Sequence, residues 1–154
     1  MEIKIIILIN LILYSIVASQ SFSYIISLTN VQQNMTATEY ITFRKLTDKN
    51  FQLKFKPVIY AAVISNILLL IFRSNHFPDI VFITAALSLL ALAADILIAL
   101  KGNIPVNNII NRWTADHYPA DWERDRTKWF RAFYKRQVLN IAGFVLLLTG
   151  AIFS

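Results

Sequence analysis

The residues best suited to chemistry in this 154-residue chain are a few charged and amide side chains within apolar or aromatic sequence. Asp95 is the one charge in the apolar run 80–100. An ionised carboxylate in such a run is costly unless it is paired or hydrated, so Asp95 is either a structural ion-pair partner or a functional group. It lies six residues before Lys101, about 9 Å along a helix. Pairing with a basic residue beyond the run therefore explains it as well as a functional role does.

Two arginines lie in an aromatic stripe further along the chain. The spacings of four and three residues place Trp122, Arg126, Trp129, Phe133 and Arg136 on one face of a predicted helix. An arginine beside tryptophan rings is oriented by stacking, and its guanidinium can bind a carboxylate, a phenolate or an enolate. An amphipathic helix at a membrane surface also carries aromatic residues on one face and basic residues on the other, and that alternative stays open.

Asparagines are concentrated between Asp95 and this stripe, at positions 103, 107, 108 and 111. The amides of Asn103 and Asn107 can satisfy loop backbone, or they can bind a carbonyl or hydroxyl of a ligand. Taken alone, the cluster favours capping. Gly102 is a candidate C-cap and Pro105 disfavours helix at the residue before it, so a turn is predicted here.

The composition predicts elements that lie in a membrane. Hydrophobic residues make up 56% of the chain and charged residues 16%, against about 25% charged in soluble proteins. Backbone groups in lipid must bond internally, which favours helices. We therefore predict an all-α fold, with one membrane domain over 1–154 that forms a four-helix bundle. The predicted spans are about 5–28, 57–72, 80–100 and 137–153, and an amphipathic cytoplasmic helix precedes the fourth.

The first span has an alternative interpretation. A lysine, an apolar run and the small residues Val17-Ala18-Ser19 resemble a cleavable signal peptide. The apolar run continues to Leu28, which favours a retained span.

The placement of the basic residues predicts the orientation. Five Lys and Arg lie in 29–56 and eight in 101–136, whereas one precedes the first span and one lies between the second and third. By the positive-inside rule both long connections are cytoplasmic and both termini are outside, in a plasma or bacterial inner membrane. The net charge of +6 then orients the chain, and we predict no nucleic-acid partner.

Polar and small residues at helical spacing predict which faces look into the bundle. The first span contributes such a face from Asn10 to Tyr24, and the third contributes one from Thr84 to Asp95. Small and hydroxyl residues also let membrane helices pack closely, which is the simpler explanation for most of them.

The absence of cysteine excludes disulfides, iron–sulfur clusters and thiolate chemistry. The two histidines, His76 and His117, are predicted on opposite sides of the membrane and cannot share a haem iron. We therefore predict no metal and no cofactor.

The order Asn103-x-Pro105-x-Asn107, then Ile110 and Trp113, then Trp122-x-x-x-Arg126-x-x-Trp129 and Arg136, resembles the small four-span membrane proteins of the anthrone-oxygenase-like family. The resemblance covers the C-terminal third in detail and the rest only in layout, and Val106 stands where the family often has leucine. It implies a cofactor-free oxygenase that converts an anthrone to an anthraquinone, although most bacterial members have no assigned activity.

The resemblance and the chemistry of the residues together suggest roles. Arg126, Arg136, Asn103 and Asn107 would hold an oxyanion, and Asp95 or His117 would take the proton. Trp113, Trp122 and Trp129 would stack on a flat substrate. The predicted catalytic residues are Asp95, Arg126 and Arg136; the predicted partners are membrane lipids and a planar aromatic molecule, and a homo-oligomer stays open.

Enzymatic activity itself stays open at this point. The alternative is a non-catalytic membrane subunit or scaffold whose basic connections bind lipid headgroups or a partner protein. A carrier is disfavoured because the four short spans have no inverted repeat or broken helix.

Overall fold

Four long helices make up most of this computed structural model, which describes residues 2–154. Helix α1 comprises Glu2–Ser23, Tyr24–Leu28 and Thr29–Gln33; α2 comprises Ala37–Asn50, Phe51–Phe55, Lys56–Arg73 and the short turn Ser74–His76; α3 comprises Ile80–Ile98, Ala99–Asn103 and Ile104–Ile110; α4 is Trp122–Ile152. No strand occurs within residues 2–154. The predicted all-α fold is confirmed, and each helix is long and apolar enough to cross a membrane.

Short connections at 34–36, 77–79 and 111–121 join successive helices and make them antiparallel. Helix α4 packs on α1 and α3, and α2 packs on the same two helices from the other side. The start of α2 is fixed by a capping box, because the Thr36 hydroxyl and backbone N–H both donate to the Glu39 carboxylate, at 2.7 and 2.9 Å. These hydrogen bonds lower the pKa of Glu39, the side-chain bond contributing more than the backbone bond.

The helices are longer than the apolar segments predicted within them. Helix α2 has 40 residues with its final turn and is therefore about 60 Å long, twice the roughly 30 Å hydrocarbon layer. The segments 29–56 and 101–136 are mostly helical extensions that continue the bundle at one end. Along the rest of the bundle, away from these extensions, the outer surface is apolar; Leu90 and Ile71, for example, are 66% and 62% exposed.

The turn predicted at Gly102 and Pro105 does not form, and this expectation was wrong. Helix α3 continues to Ile110, and Gly102 is not a C-cap because no described glycine has a positive φ. A Cβ on Gly102 would lie 2.7 Å from the Ala132 Cβ, so the glycine permits close approach of α3 to α4. Pro105 is tolerated because it follows a widened turn, at the start of Ile104–Ile110, where its missing N–H is not needed.

That widened turn is one of three π-helical turns in the bundle, at Tyr24–Leu28, Phe51–Phe55 and Ala99–Asn103. In each, the backbone N–H of the next residue bonds to the carbonyl five residues earlier: Thr29 to Tyr24, Lys56 to Phe51, and Ile104 to Ala99. Pro57 and Pro105 each stand two residues beyond such a turn. Single π-helical turns within α-helices are frequent at functional sites.

Candidate functional site

A cavity of about 380 Å³ lies in the bundle at the level of the three π-helical turns. All four helices line it, and each π-helical turn contributes at least one lining residue: Tyr24 from α1, Phe51 from α2 and Asn103 from α3. Cavities of roughly 300–1,000 Å³ are typical of small-molecule sites. The volume therefore suits a ligand of a few fused rings.

The mouth of the cavity is a slit between α2 and α3. The exposed lining residues recur every fourth position on the two helices: Gln52, Lys56 and Tyr60 on α2, and Leu100, Ile104 and Asn108 on α3. Because the helices are antiparallel, Gln52 and Asn108 lie at the polar end of the slit. Tyr60 and Leu100, 55% and 54% exposed, lie at its apolar end.

A buried ion pair forms one wall of the cavity. The Arg136 guanidinium donates to both Asp95 carboxylate oxygens, at 2.8 Å from Nε and 3.4 Å from Nη2. The Asn140 amide donates to the same carboxylate at 3.1 Å, and Arg136 Nη1 donates to the Asn103 side-chain oxygen at 3.3 Å. Asp95 and Arg136 are 0% and 5% exposed. The basic partner of Asp95 is therefore Arg136 on α4, which agrees with the ion-pair interpretation of Asp95.

A second polar network crosses the cavity from α2 to α3. The Asn107 side chain joins two residues of α2: its oxygen accepts from Arg44 Nη2 at 3.0 Å, and its amide donates to Asp48 Oδ1 at 2.8 Å. Asp48 Oδ2 accepts from the Asn111 and Gln52 amides, at 2.9 and 3.1 Å. Arg44 and Asp48 are both buried.

Aromatic rings cover Arg44 and form another wall. The guanidinium lies 3.9 Å from the centroid of the Trp129 ring, and its Nη1 donates to the Tyr24 hydroxyl at 3.3 Å. Trp129 stacks on Phe133 with a centroid separation of 4.8 Å, and Tyr24 lies 4.4 Å from Phe133. The cavity thus combines flat apolar surfaces with guanidinium, carboxylate and amide groups.

Five of the eight site residues predicted from the sequence line this cavity: Asp95, Asn103, Asn107, Trp129 and Arg136. The other three, Trp113, Trp122 and Arg126, lie outside the cavity lining, as does His117.

Arg126 binds the end of α1. Its Nη1 donates to the carbonyls of Gln32, Gln33 and Met35 at 3.0–3.4 Å, and its Nη2 pairs with Glu123 at 2.9 Å. A cation at a helix C-terminus satisfies the last carbonyls and the helix dipole. The guanidinium also lies 4.5 Å from the Trp122 ring centroid, away from the cavity.

Trp113 and Trp122 pack in the helical extension with Tyr40 and Ile110, as part of one apolar cluster. The aromatic face of α4 is therefore covered by the protein's own α1 and α2. Burial raises the pKa of Tyr40 to about 12, so its hydroxyl stays neutral at physiological pH. His117 is exposed in the connection 111–121 and is not among the lining residues described.

The sequence reasoning missed Arg44 and Asp48. Arg44 was counted only among the basic residues of a connection and Asp48 was not considered, yet Tyr40, Arg44 and Asp48 recur at four-residue spacing and are all buried. That periodicity was the available signal, because a charged residue in register with apolar ones predicts a buried polar group. The π-helical turns had only an indirect signal, a proline within each of two helical stretches.

Across residues 2–154, no three His, Asp or Glu side chains come together in a group that could hold a metal ion. Comparisons of the chain with protein-family models, with curated proteins and with solved structures find no match.

Proposed function

We propose that this chain is a multi-pass integral membrane protein whose cavity binds, and with dioxygen oxidises, a planar phenolic or anthrone-like molecule. The membrane assignment is supported by the apolar outer surface along four helices of sufficient length. A belt of this size exposed to water would favour aggregation. The polar helical extension lies on the cytoplasmic side and both termini lie outside, as the basic residues predict.

One observation carries the functional proposal: a cavity of about 380 Å³ brings together Trp129, Phe133, Arg44 and two carboxylates. Aromatic faces stack on flat rings, a guanidinium stabilises an oxyanion, and a carboxylate accepts a proton. These are the three requirements of an oxidation that proceeds through a substrate anion. The resemblance of the Asn, Trp and Arg pattern to the anthrone-oxygenase-like family supports the same chemistry.

The proposed reaction starts with loss of a proton from the anthrone methylene group, which leaves an electron-rich aryloxide. That anion reduces dioxygen directly. One oxygen atom becomes the second carbonyl of the quinone, and the other leaves as water with the two methylene hydrogens. The protein supplies the base, the oxyanion partner and a site that shields the anion from water. No metal or organic cofactor is required for this balance.

The slit supports a substrate that dissolves in the membrane. Its apolar end lies within the predicted spans 57–72 and 80–100, while its polar end lies beyond them. A flat molecule at the bilayer interface can enter sideways, and Lys56 stands at the boundary, where its charge attracts an ionised phenol.

The rival proposal is a non-catalytic subunit or scaffold. It is favoured by the exposed basic face of α4, formed by Arg124, Lys128, Arg131 and Lys135. Such a face binds anionic headgroups or an acidic partner whether or not the cavity is used.

Oxygen uptake separates the two proposals. Membranes that contain the wild-type protein should take up dioxygen with anthrone faster than membranes without the protein. The uptake should amount to one dioxygen per anthrone converted. Trp129→Ala should abolish this excess, because Trp129 forms a wall of the cavity. Tyr134→Ala is the matched control, since Tyr134 is on the outer face of α4 and 67% exposed. An excess that is absent in the wild type, or unchanged in Trp129→Ala, contradicts the proposal.

A further inference from the structure

Two carboxylates line the cavity, and their surroundings differ in a way that decides which of them can take a proton. Asp95 is held by the Arg136 guanidinium through both oxygens. Asp48 is held only by neutral amides, those of Asn107, Asn111 and Gln52. Within residues 2–154, no ion pair to Asp48 is formed.

The consequence of protonation therefore differs between them. A proton on Asp95 would remove the counter-charge of Arg136, which is 5% exposed and would be left as an unpaired buried cation. That situation is strongly unfavourable. Protonation of Asp48 breaks no ion pair, because its partners are amides that can also bond to a neutral carboxyl group.

A buried guanidinium on the same helix suits the other half of the reaction. Arg44 lies one helical turn before Asp48, and Asn107 binds both side chains, which fixes the guanidinium and the carboxylate relative to each other. Arg44 also lies against the Trp129 ring at 3.9 Å. Its Nε is buried and has no partner within the described chain, so the guanidinium retains an unused donor.

We infer that Asp48 is the base of the cavity and Arg44 the oxyanion partner, with Asn107 as their positioning residue, while Asp95 and Arg136 form a structural pair. This inference rests on the proposed function. In the step, the methylene C–H bond of the anthrone breaks and its proton forms an O–H bond with an Asp48 oxygen. The electron pair of the broken bond moves into the ring system and onto the former carbonyl oxygen, which becomes the aryloxide facing Arg44.

Deuterium exchange without oxygen isolates this proton transfer from the oxidation. Anthrone is incubated with the protein in D₂O under argon, and incorporation into the methylene group is followed by mass spectrometry. The wild-type protein should accelerate exchange over protein-free detergent micelles. Asp48→Asn should lower the acceleration about 10²- to 10⁴-fold, and Arg44→Gln should lower it as well. Asp116→Asn, which removes an exposed carboxylate of the connection 111–121, should leave it unchanged.

A second comparison separates proton transfer from folding. Asp95→Asn combined with Arg136→Gln removes the structural pair without leaving a charge, and loss of exchange in this variant as complete as in Asp48→Asn would assign the base to Asp95 instead. The retained helical circular dichroism of Asp48→Asn shows whether that variant folds, and Asp48→Glu should restore part of the acceleration in the same fold. If Asp48→Asn and Asp48→Glu have the same circular dichroism but only Asp48→Glu accelerates exchange, the carboxylate at position 48 acts as the proton acceptor and not as a support of the fold.

The outcomes distinguish this inference from the proposed function. Exchange that persists in Asp48→Asn, or a wild-type protein that does not accelerate exchange, overturns the assignment of Asp48. Exchange that requires Asp48 without any oxygen uptake in air supports the assignment and contradicts the oxygenase. Oxygen uptake that survives in Asp48→Asn contradicts the assignment and leaves the oxygenase standing.

Discussion

Removing the Asp95–Arg136 pair one partner at a time should destabilise the bundle far more per side chain than removing both. The pair is almost completely buried, and four hydrogen bonds hold it: two between the partners, one from Asn140 and one to Asn103. Asp95→Leu leaves the Arg136 cation unpaired, and Arg136→Met leaves the Asp95 anion unpaired. Each should cost about 3–5 kcal/mol.

The double variant should be much less damaged than the sum of the singles. Asp95→Leu with Arg136→Met leaves no buried charge and strands only the Asn103 oxygen and the Asn140 amide. Each stranded group costs about 1–2 kcal/mol, so the double variant should lose about 2–4 kcal/mol. The singles together lose about 6–10 kcal/mol, and the coupling energy should therefore be at least about 2 kcal/mol.

Reversible unfolding in mixed micelles with increasing SDS, followed by circular dichroism, gives the free energies of unfolding of the wild type, the two single variants and the double variant. Arg124 and Asp121 provide a control cycle, because this pair lies at the start of α4 with side chains 63% and 56% exposed. Its coupling should be below about 1 kcal/mol. Losses at Asp95 and Arg136 that simply add would refute the reasoning, since an additive pair is not a single buried unit.

Three further perturbations test other contacts. Gly143→Ala should cost about 1–3 kcal/mol, because the added Cβ overlaps the Tyr14 hydroxyl; the same SDS titration measures the loss, and a silent substitution contradicts the close approach of α1 and α4. Thr36→Ala should cost about 1 kcal/mol, because it removes the cap of α2. The contribution of the Glu39 carboxylate to the free energy of unfolding should be present above the pKa of an unfolded glutamate and should be lost as the pH falls through the lowered pKa of the folded state. Unfolding at pH 7 and at pH 3 checks this sign. Leu100→Trp should slow ligand association at the slit in stopped-flow fluorescence, whereas Leu97→Trp, also exposed on α3 but outside the cavity lining, should not; equal rates would argue against entry between α2 and α3.

Much of the architecture was predictable because it depends on local patterns. Four apolar runs separated by charge predict four helices, and the polar face of the third predicts that Asp95 points inward. The stripe on α4 was likewise readable, since Trp129, Phe133 and Arg136 share a face and are buried in the structure. These features follow from helical periodicity and the cost of polar groups in lipid.

The cavity was not predictable to the same degree, because it depends on contacts between distant segments. Arg44 and Asp48 belong to a segment that composition alone marks as a charged connection, and only pairing with Asn107, 63 and 59 residues away, makes them part of a site. Arg126 satisfied every sequence criterion for a ligand-binding arginine but binds the carbonyls that end α1. No spacing rule distinguishes these two uses of an arginine.

The π-helical turns were hidden for a different reason. A π-helical turn adds one residue to a helical turn, so the apolar pattern keeps its period on each side and only its phase shifts by one residue across the turn. The periodicity within each segment does not reveal such a shift. At Gly102 and Pro105 the local signals for a chain turn were genuine, but a widened turn accommodates the proline without ending the helix. Packing of α3 against α4 over Gly102 then decides the outcome.

Tryptophan fluorescence gives the most direct test that the cavity binds a planar aromatic molecule. Of the three tryptophans, only Trp129 lines the cavity. A variant with Trp113→Phe and Trp122→Phe reports on Trp129 alone, and Trp129→Phe reports on the other two. Titration of both in detergent with a planar hydroxyanthraquinone should quench the first variant saturably and the second only weakly and without saturation. Equal, non-saturating quenching of the two variants would mean that the ligand merely partitions into the micelle, and it would contradict a binding site in the cavity.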